Sequence, residues 1–300
     1  MKDLKGEIAV TVTPFISGET PDFEEIAKQT EILCASKADG IFPCSSTGEY
    51  PKISFENKIK IMETVAESNA GRKILIAGAC SVSEDEIRAF IDEAKRLSYD
   101  ACLVCPPYYY PLEQDEVLRF YKVISAYAGD MRIIAYNVHF FTTEILPATF
   151  QELLKIENLV GMKDSSGNLK MISHECDVSA QIRPDFIVYT GTDDCLLPAL
   201  VAGCKGSMTA FGAVFPDTIK KIYEDFISGN ILGAQKTQRS ILPLLRLADS
   251  LVFPDGYKLV ARAAGMKTGY LSVLTDADKV NSLFEKMKKE IDVIGEKIYG

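Results

Sequence analysis

Eight short apolar runs recur along the chain, and this repetition constrains the fold more than any other feature of the sequence. Each run is followed by a segment of about 12 to 16 residues with helical periodicity, which is the pattern of repeated βα units. Apolar residues occupy both faces of most runs, as expected for parallel strands that are covered on both sides. The runs are EIAVTVT from Glu7, GIFPCSS from Gly40, KILIAGA from Lys73, YDACLVCPP from Tyr99, RIIAYNV from Arg132, LVGMKDS from Leu159, FIVYTGT from Phe186 and GSMTAF from Gly206.

Eight such units in series, without a long linker or a low-complexity tract, predict an α/β fold of the closed (β/α)8 TIM-barrel type rather than an open doubly wound sheet. Helix-start signals lie between the runs, at Asp22 with Glu25, at Ser83 with Glu86, and at Pro216 with Asp217. After the eighth unit, about 70 residues have helical periodicity alone. We therefore predict a barrel over residues 1–229 and a C-terminal helical extension of the same domain over residues 230–300.

Charge and hydropathy exclude several classes of partner. The net charge is -9 and the isoelectric point about 5.0, which argues against nucleic acid or an anionic membrane as the main partner. No apolar stretch reaches the about 18 residues of a membrane span, and the N-terminal MKDLKGEIAV lacks the apolar region of a secretory signal. The first run is not followed by a Gly-x-Gly-x-x-Gly motif, so dinucleotide binding is disfavoured. The lack of a membrane span and of a secretory signal predicts a cytosolic protein.

The cysteines and histidines do not form a recognisable metal-binding pattern. The eight cysteines are scattered singly through apolar segments, which favours reduced thiols in the core. Cys102 and Cys105 form the spacing C-x-x-C, but no second pair completes a zinc site. The two histidines, His139 and His174, do not have the spacing of a zinc-protease helix. We expect neither a metal nor an organic cofactor.

Polar side chains are concentrated where the predicted strands end. In a barrel of this type the carboxyl ends of the strands line the active site, so chemistry is expected there. The strand-end residues are Thr11, Thr13, Ser45, Ser46, Thr47, the run PPYYY from Pro106, Tyr136, Asn137, Lys163, Asp193, Asp194 and Thr209. This set contains many hydroxyl groups and a single lysine.

Lys163 ends an apolar run and has two interpretations. Its long stem is able to carry the charge to the rim of the barrel, which is the usual role of such a lysine. Alternatively, the amine attacks a carbonyl and forms a Schiff base. That chemistry needs a pKa lowered by burial from about 10.4 to roughly 7 to 8, so that a useful fraction of the amine is neutral.

Two further groups at the strand ends fit the second interpretation. Tyr136 ends the preceding run, and its phenol is suited to carrying protons, although a lone tyrosine there is also a common core residue. The turn CSSTGEY from Cys44 offers hydroxyls and successive backbone N–H groups, which suit a carboxylate, although a plain polar loop has the same composition.

Three segments together resemble a known family. CSSTGEYPKIS resembles a G-[ST]-T-G-E loop, YNV at Tyr136 resembles a Y-N-[VI]-P segment, and VGMKDSSGN resembles a G-[IV]-K-[DE]-[ST]-[ST]-G segment. These segments, in this order, are typical of the pyruvate-dependent class I aldolases, which include dihydrodipicolinate synthase and N-acetylneuraminate lyase. The runs PPYYYPLEQDE and YTGTDD are also similar to the family's fourth and seventh strand ends, so the resemblance spans nearly the whole chain.

The resemblance implies roles for individual residues. Lys163 forms the imine with pyruvate or the pyruvate half of a 2-keto acid, and Tyr136 is the acid/base phenol. Thr47 and Tyr109 complete a proton relay, while Ser46 and Thr47 hold the pyruvate carboxylate. In such proteins the tyrosine that corresponds to Tyr109 commonly reaches a neighbouring subunit. The resemblance therefore implies a homo-oligomer, either a tetramer or a dimer.

Departures from the family pattern bear on the substrate. Where dihydrodipicolinate synthases carry an arginine that binds the substrate carboxylate, this chain has Phe141, and a phenyl ring cannot replace a charged bidentate donor. His139 replaces the family proline and is either a substrate ligand or a packed side chain. Other candidate substrate-binding residues are Ser165, Gly191, Asp193 and Asp194, in partial agreement with N-acetylneuraminate lyases. Asp193 is equally suited to capping the following helix.

We therefore expect an enzyme that reversibly cleaves a 2-keto-3-deoxy sugar acid to pyruvate and an aldehyde, in the manner of N-acetylneuraminate lyase. The first alternative is 4-hydroxy-tetrahydrodipicolinate (dihydrodipicolinate) synthase, or a dehydratase that uses the same imine. The second alternative is a non-catalytic ligand-binding barrel, although such a protein is free to lose the amine or the phenol, and both are present.

Overall fold

The computed structural model describes residues 2–272, 274–296 and 299. The strands of this part of the chain are β1 (Gly6–Val10), β2 (Phe15–Ser17), β3 (Thr20–Pro21), β4 (Gly40–Phe42), β5 (Ile74–Gly78), β6 (Ala101–Val104), β7 (Ile133–Asn137), β8 (Leu159–Asp164), β9 (Ile187–Thr190) and β10 (Gly206–Thr209). Eight of these described strands form a closed barrel in the order β1-β10-β9-β8-β7-β6-β5-β4, whereas β2 and β3 form a small antiparallel hairpin. The predicted (β/α)8 TIM-barrel class is confirmed.

Helices alternate with the barrel strands and continue beyond them. The α-helices are α1 (Phe23–Ala35), α2 (Phe55–Asn69), α3 (Glu84–Arg96), α4 (Gln114–Ala128), α5 (Pro147–Leu153), α6 (Leu169–Ile182), α7 (Leu196–Ala202), α8 (Phe211–Val214), α9 (Pro216–Ile227), α10 (Ile231–Ala248), α11 (Asp255–Ala263) and α12 (Ala277–Ile294). Short 3-10 helices are Tyr50–Lys52 and Asp193–Cys195. The boundary at residue 229 stays a prediction, and positions 1, 273, 297, 298 and 300 of the two predicted segments lie outside the described residues.

Each of the eight apolar runs overlaps one barrel strand, but the strands stop before the runs do. The first run continues to Thr13, for example, whereas β1 ends at Val10. The helix-start signals are confirmed where a side chain caps the helix: Asp22 accepts from the backbone N–H of Glu25 at 3.0 Å, as the N-cap of α1. The hairpin was not predicted, because strands this short carry little periodic signal.

One compact unit consists of the N-terminal residues up to Gly6 and of Ile74–Met208. It contains β5 to β9 with their helices, and it is built around fully buried aromatic side chains. Among them, Tyr121 of α4 donates a hydrogen bond to Val104 O at 2.9 Å and accepts one from the backbone N–H of Tyr136 at 3.2 Å. This phenol therefore fixes the backbone of β7 at the residue whose side chain was predicted to be catalytic.

The other compact unit consists of Glu7–Lys73 and of the chain from Thr209 onward. It contains β1 and β4, which pair in parallel with Ile8 opposite Gly40, and the helices α1, α2 and α8 to α12. Apolar side chains from both of its segments, such as Ile8 and Phe211, are fully buried.

All eight cysteines fall within the described residues and are free thiols. No described helix has both the length and the apolar character that crossing a membrane requires. The described residues also contain no group of three or more His, Cys, Asp or Glu side chains suited to holding a metal ion.

Candidate active site

Lys163 is the next-to-last residue of β8, and only 5% of its surface is exposed. The four residues of β8 from Gly161 onward are all buried, so the strand carries the lysine into the interior of its unit. A lysine that extends its charge to the rim needs an exposed amine. The observed burial therefore matches the nucleophile interpretation better than the surface interpretation.

Burial lowers the pKa of the Lys163 amine from its ordinary value of 10.5 to about 8. The main cause is loss of hydration, which disfavours the ammonium form, while the charges of Cys80 and Asp193 act in the opposite direction. At pH 7 about one amine in ten is then neutral, against about one in 3000 at the ordinary pKa. Since the neutral amine is the nucleophile in imine formation, the burial supplies the reactive form.

Tyr136 pairs with Lys163 in the register of β7 and β8, and it is 6% exposed. Its ring centroid lies 4.7 Å from Lys163 Nζ, a distance at which the ring face attracts a cation. The Tyr136 hydroxyl accepts a long hydrogen bond, 3.4 Å, from Ser165 Oγ directly after β8. Three of the predicted site residues, Lys163, Tyr136 and Ser165, are thus brought together, and we call them the lysine cluster.

Gly191 has no side chain, and the stem of Lys163 occupies the space beside it. A Cβ atom at this position would lie 2.8 Å from Lys163 Cε and 1.9 Å from Ser165 Oγ, so a larger residue displaces both side chains. The Gly191 N–H donates to Asp164 O at 2.6 Å, which ties the end of β9 to the end of β8. The predicted substrate-binding glycine therefore lies beside the lysine cluster, where it makes room for the amine.

Asp193 is 4% exposed and its neighbour Asp194 is half-buried. Capping does not explain Asp193, because Thr192 is the N-cap of the 3-10 helix and Cys195 is the N-cap of α7. The capping interpretation is therefore wrong. The negative charge of Asp193 instead raises the pKa of Lys163, and so moderates the effect of burial on the amine.

The aromatic residues predicted for the site are exposed in the single chain. Tyr109 is 85% exposed and has a left-handed backbone with φ +83, and Phe141 is 51% exposed. His139 is also exposed, with its ring centroid 4.0 Å from that of Phe140. Whether His139 is a substrate ligand or a packed side chain stays a prediction, and the loops after β6 and β7 present an aromatic surface to solvent.

The hydroxyl loop, residues 44–50, belongs to the other compact unit. Thr47 is buried and Ser46 is half-buried. Thr13 Oγ1 donates to Gly48 O at 2.7 Å. A Cβ atom on Gly48 would lie 3.1 Å from Thr13 Oγ1. The backbone of the loop is therefore closely packed, and its hydroxyls are presented from a defined conformation.

The sequence patterns singled out Asn137 as a strand-end residue but not the buried carboxylates behind Lys163, which are Asp164 and Glu175. Asp164 points to the opposite face of β8, where Asn137 Nδ2 donates to its carboxylate at 2.6 Å, and Asn137 Oδ1 accepts from Ile145 N at 3.1 Å. Burial raises the pKa of Asp164, and burial together with the Asp164 charge raises the pKa of Glu175 on α6 to about 10. The alternation of side chains along a strand was the available signal, since the residue after an inward lysine must face the helices.

The chain matches the Dihydrodipicolinate synthetase family over residues 3–289. Among curated proteins it is 33% identical, over 274 residues, to the 4-hydroxy-tetrahydrodipicolinate synthase of Listeria welshimeri, covering 89% of this chain and 91% of that one. It is 29% identical, over 289 residues, to the enzyme of the same name from Caldicellulosiruptor saccharolyticus, covering 95% of this chain and 96% of the relative.

Solved structures give the same result. The dihydrodipicolinate synthase of Thermotoga maritima superimposes with a TM-score of 0.91 at 25% identity, covering 97% of this chain and 100% of that one. The dihydrodipicolinate synthase of Aquifex aeolicus superimposes with a TM-score of 0.88 at 28% identity, covering 95% of this chain and 98% of that one.

Proposed function

The chain belongs to the dihydrodipicolinate synthetase family, and from this premise we propose that it joins pyruvate to an aldehyde through an imine on Lys163. Membership makes it a pyruvate-dependent aldolase or lyase of the class I, lysine Schiff-base type, which replaces the alternative of a non-catalytic barrel. The observation that carries the assignment of the amine is the buried position of Lys163, where its pKa is about 8, beside the phenol of Tyr136.

The proposed reaction begins with attack of the neutral Lys163 amine on the carbonyl carbon of pyruvate. The resulting carbinolamine loses water and leaves a protonated imine, which withdraws electrons from the adjacent methyl carbon. Loss of a proton from that carbon gives an enamine, whose carbon attacks the aldehyde carbonyl and forms the new C–C bond. Where the aldehyde carries no amine, water then hydrolyses the imine and releases Lys163. Where it carries an amine, that amine attacks the imine carbon, closes a ring and releases Lys163 in place of water. Cleavage follows the same steps in reverse.

Tyr136 is the proposed proton carrier in these steps. Its phenol lies in the lysine cluster and accepts from Ser165, so a proton donor and a proton acceptor are both close to the amine. From the motif resemblance we also assign Thr47 and Tyr109 to the proton relay, and Ser46 with Thr47 to the pyruvate carboxylate.

Oligomer formation is part of the proposal. Tyr109 is 85% exposed in the single chain, which is an unusual state for a catalytic residue unless a second copy covers it. We therefore propose a homodimer or homotetramer in which Tyr109 serves the site of a neighbouring subunit. Sedimentation at micromolar concentration tests this assembly, and a stable monomer that retains full activity contradicts it.

The first candidate for the product is 4-hydroxy-tetrahydrodipicolinate, because the curated relatives carry the name of that synthase. The sequence motifs favour sugar-acid cleavage over this activity, and the names of the relatives reverse that order. In this reaction the aldehyde is aspartate semialdehyde.

A 2-keto-3-deoxy sugar acid remains a second candidate because of Phe141. This residue stands where the resemblance expects an arginine, and its half-exposed phenyl ring offers no charge for a second carboxylate. An uncharged, hydroxylated aldehyde does not need that charge.

Borohydride reduction in the presence of pyruvate, followed by peptide mass mapping, tests the proposed amine. We expect the reduced adduct on Lys163 and its absence from Lys163→Ala. A screen of aldehydes with pyruvate then separates the two candidates, since turnover of aspartate semialdehyde favours the first and turnover of sugar aldehydes alone favours the second. An adduct on any other lysine contradicts the assignment.

A further inference from the structure

A second lysine, Lys258 of α11, is more deeply buried than the proposed nucleophile. Its residue exposure is 0%, and its Nζ donates to Glu49 Oε1 at 2.7 Å and to Tyr270 O at 2.5 Å. The rings of Phe15 and Tyr270 lie 5.4 and 5.2 Å from the same nitrogen. The Lys258 ammonium is thus enclosed by a carboxylate, a carbonyl and two aromatic faces, all within the second compact unit.

The carboxylate partner of Lys258 belongs to the hydroxyl loop. Glu49 has a left-handed backbone with φ +60, a conformation that is unfavourable for a residue with a side chain. Its N–H donates to Ser46 O at 3.1 Å, and its second carboxylate oxygen accepts from Lys52 Nζ at 2.5 Å. The side chain of Glu49 therefore holds in place a turn that the backbone alone disfavours.

We propose that Lys258 is a positioning residue, which through Glu49 holds the hydroxyl loop in the conformation that receives the carboxylate of pyruvate. This inference rests on the proposed function, because it assigns Ser46 and Thr47 to that carboxylate. The C-terminal helices accordingly contribute to substrate binding through α11.

The expected effect is on binding rather than on the chemical step. When only a fraction of the loops has the competent conformation, the apparent dissociation constant rises by the inverse of that fraction. Removal of the Lys258 charge leaves Glu49 with Lys52, whose side chain is 41% exposed and therefore holds it less firmly. The lysine cluster, which carries the chemistry, is unchanged in sequence.

The experiment measures how much pyruvate gives half-maximal borohydride trapping on Lys163. For Lys258→Met we expect this concentration to rise by about tenfold or more, while trapping at saturating pyruvate still reaches the parent level. The matched control is Lys220→Met, which breaks a less deeply buried ion pair of the same unit, to Asp39 at 2.6 Å. This control is expected to lower the melting temperature without changing the pyruvate requirement.

Glu49→Gln provides a second test, which is needed if Lys258→Met does not fold. The amide keeps the shape of the side chain and one acceptor oxygen, but it removes the charge and the second acceptor, so we expect an intermediate rise in the pyruvate requirement. An unchanged requirement in the folded variants, with only a lowered melting temperature, overturns the positioning role. If the parent itself is not trapped at any pyruvate concentration, the proposed function and this inference both fail.

Discussion

Lys163 and Lys258 are both buried lysines, and they lie in different compact units with different surroundings. Lys258 touches a buried carboxylate at 2.7 Å, which compensates its lost hydration. At Lys163, loss of hydration outweighs the charges of Cys80 and Asp193, and the pKa falls to about 8. The difference shows that burial alone does not make a lysine reactive, because the groups around the buried amine also determine how strongly the ammonium is disfavoured.

The largest change in the free energy of unfolding is expected for Lys258. Lys258→Met leaves Glu49 with one partner fewer in the interior, so the free energy of unfolding should fall by about 3 to 5 kcal/mol, as when one half of a buried ion pair is removed. Urea unfolding at pH 7 measures this loss. In the double variant Glu49→Gln/Lys258→Met, less stability should be lost than the sum of the single losses. A loss below about 1 kcal/mol would mean that Lys258 is not held as the structure indicates.

Lys163→Met should raise the free energy of unfolding, whereas Lys258→Met lowers it. The folded state disfavours the ammonium, so at pH 7 the parent bears a penalty of about 3 kcal/mol, and the variant should be more stable by up to that amount. The gain should shrink as pH rises from about 8 to 10.5, because the unfolded lysine then also loses its proton. Urea unfolding of the parent and the variant at pH 7 and pH 10 measures the gain in stability and its decrease with pH. Equal stability of the parent and the variant at pH 7 contradicts the lowered pKa.

Gly191→Ala tests whether space beside the amine matters. The added Cβ meets Ser165 Oγ and Lys163 Cε, so we expect a loss of about 1 to 3 kcal/mol in the free energy of unfolding and slower trapping with pyruvate. Combination with Ser165→Ala removes the atom of closest overlap and should recover part of the stability. An alanine variant with parental stability and trapping rate indicates that the cluster is looser than the distances imply.

Asp193→Asn is expected to give the smallest effect. The initial rate of trapping in the parent should rise with pH to a midpoint near 8, as the Lys163 ammonium loses its proton. Asp193 raises the pKa of Lys163, so its neutralisation should move the midpoint to lower pH. Asp194→Asn is the matched control and should move the midpoint less. A shift to higher pH would falsify the electrostatic account of the cluster.

Local pattern predicted where Lys163 lies on its strand, but it left two interpretations of the amine open. Lys163 ends an apolar run, and that run became β8 with the lysine buried at its end. The same reasoning passed over Lys258, which lies on an amphipathic helix where lysines are usually solvated. Its partner Glu49 is 209 positions away, so no periodicity or motif connects the two. Asp193 shows a related limit, since the sequence suited a helix cap and the structure places the cap one residue earlier.

The sequence by itself determined the eight βα repeats, the class of barrel and the strand end at which the lysine stands, because side-chain periodicity and turn residues act over a few neighbouring positions. The tertiary structure decided which groups surround each buried lysine. The pKa of an amine depends on hydration and on charges within a few ångströms, and segments distant along the chain supply both. A carboxylate from the hydroxyl loop meets Lys258, whereas the surroundings of Lys163 chiefly remove water.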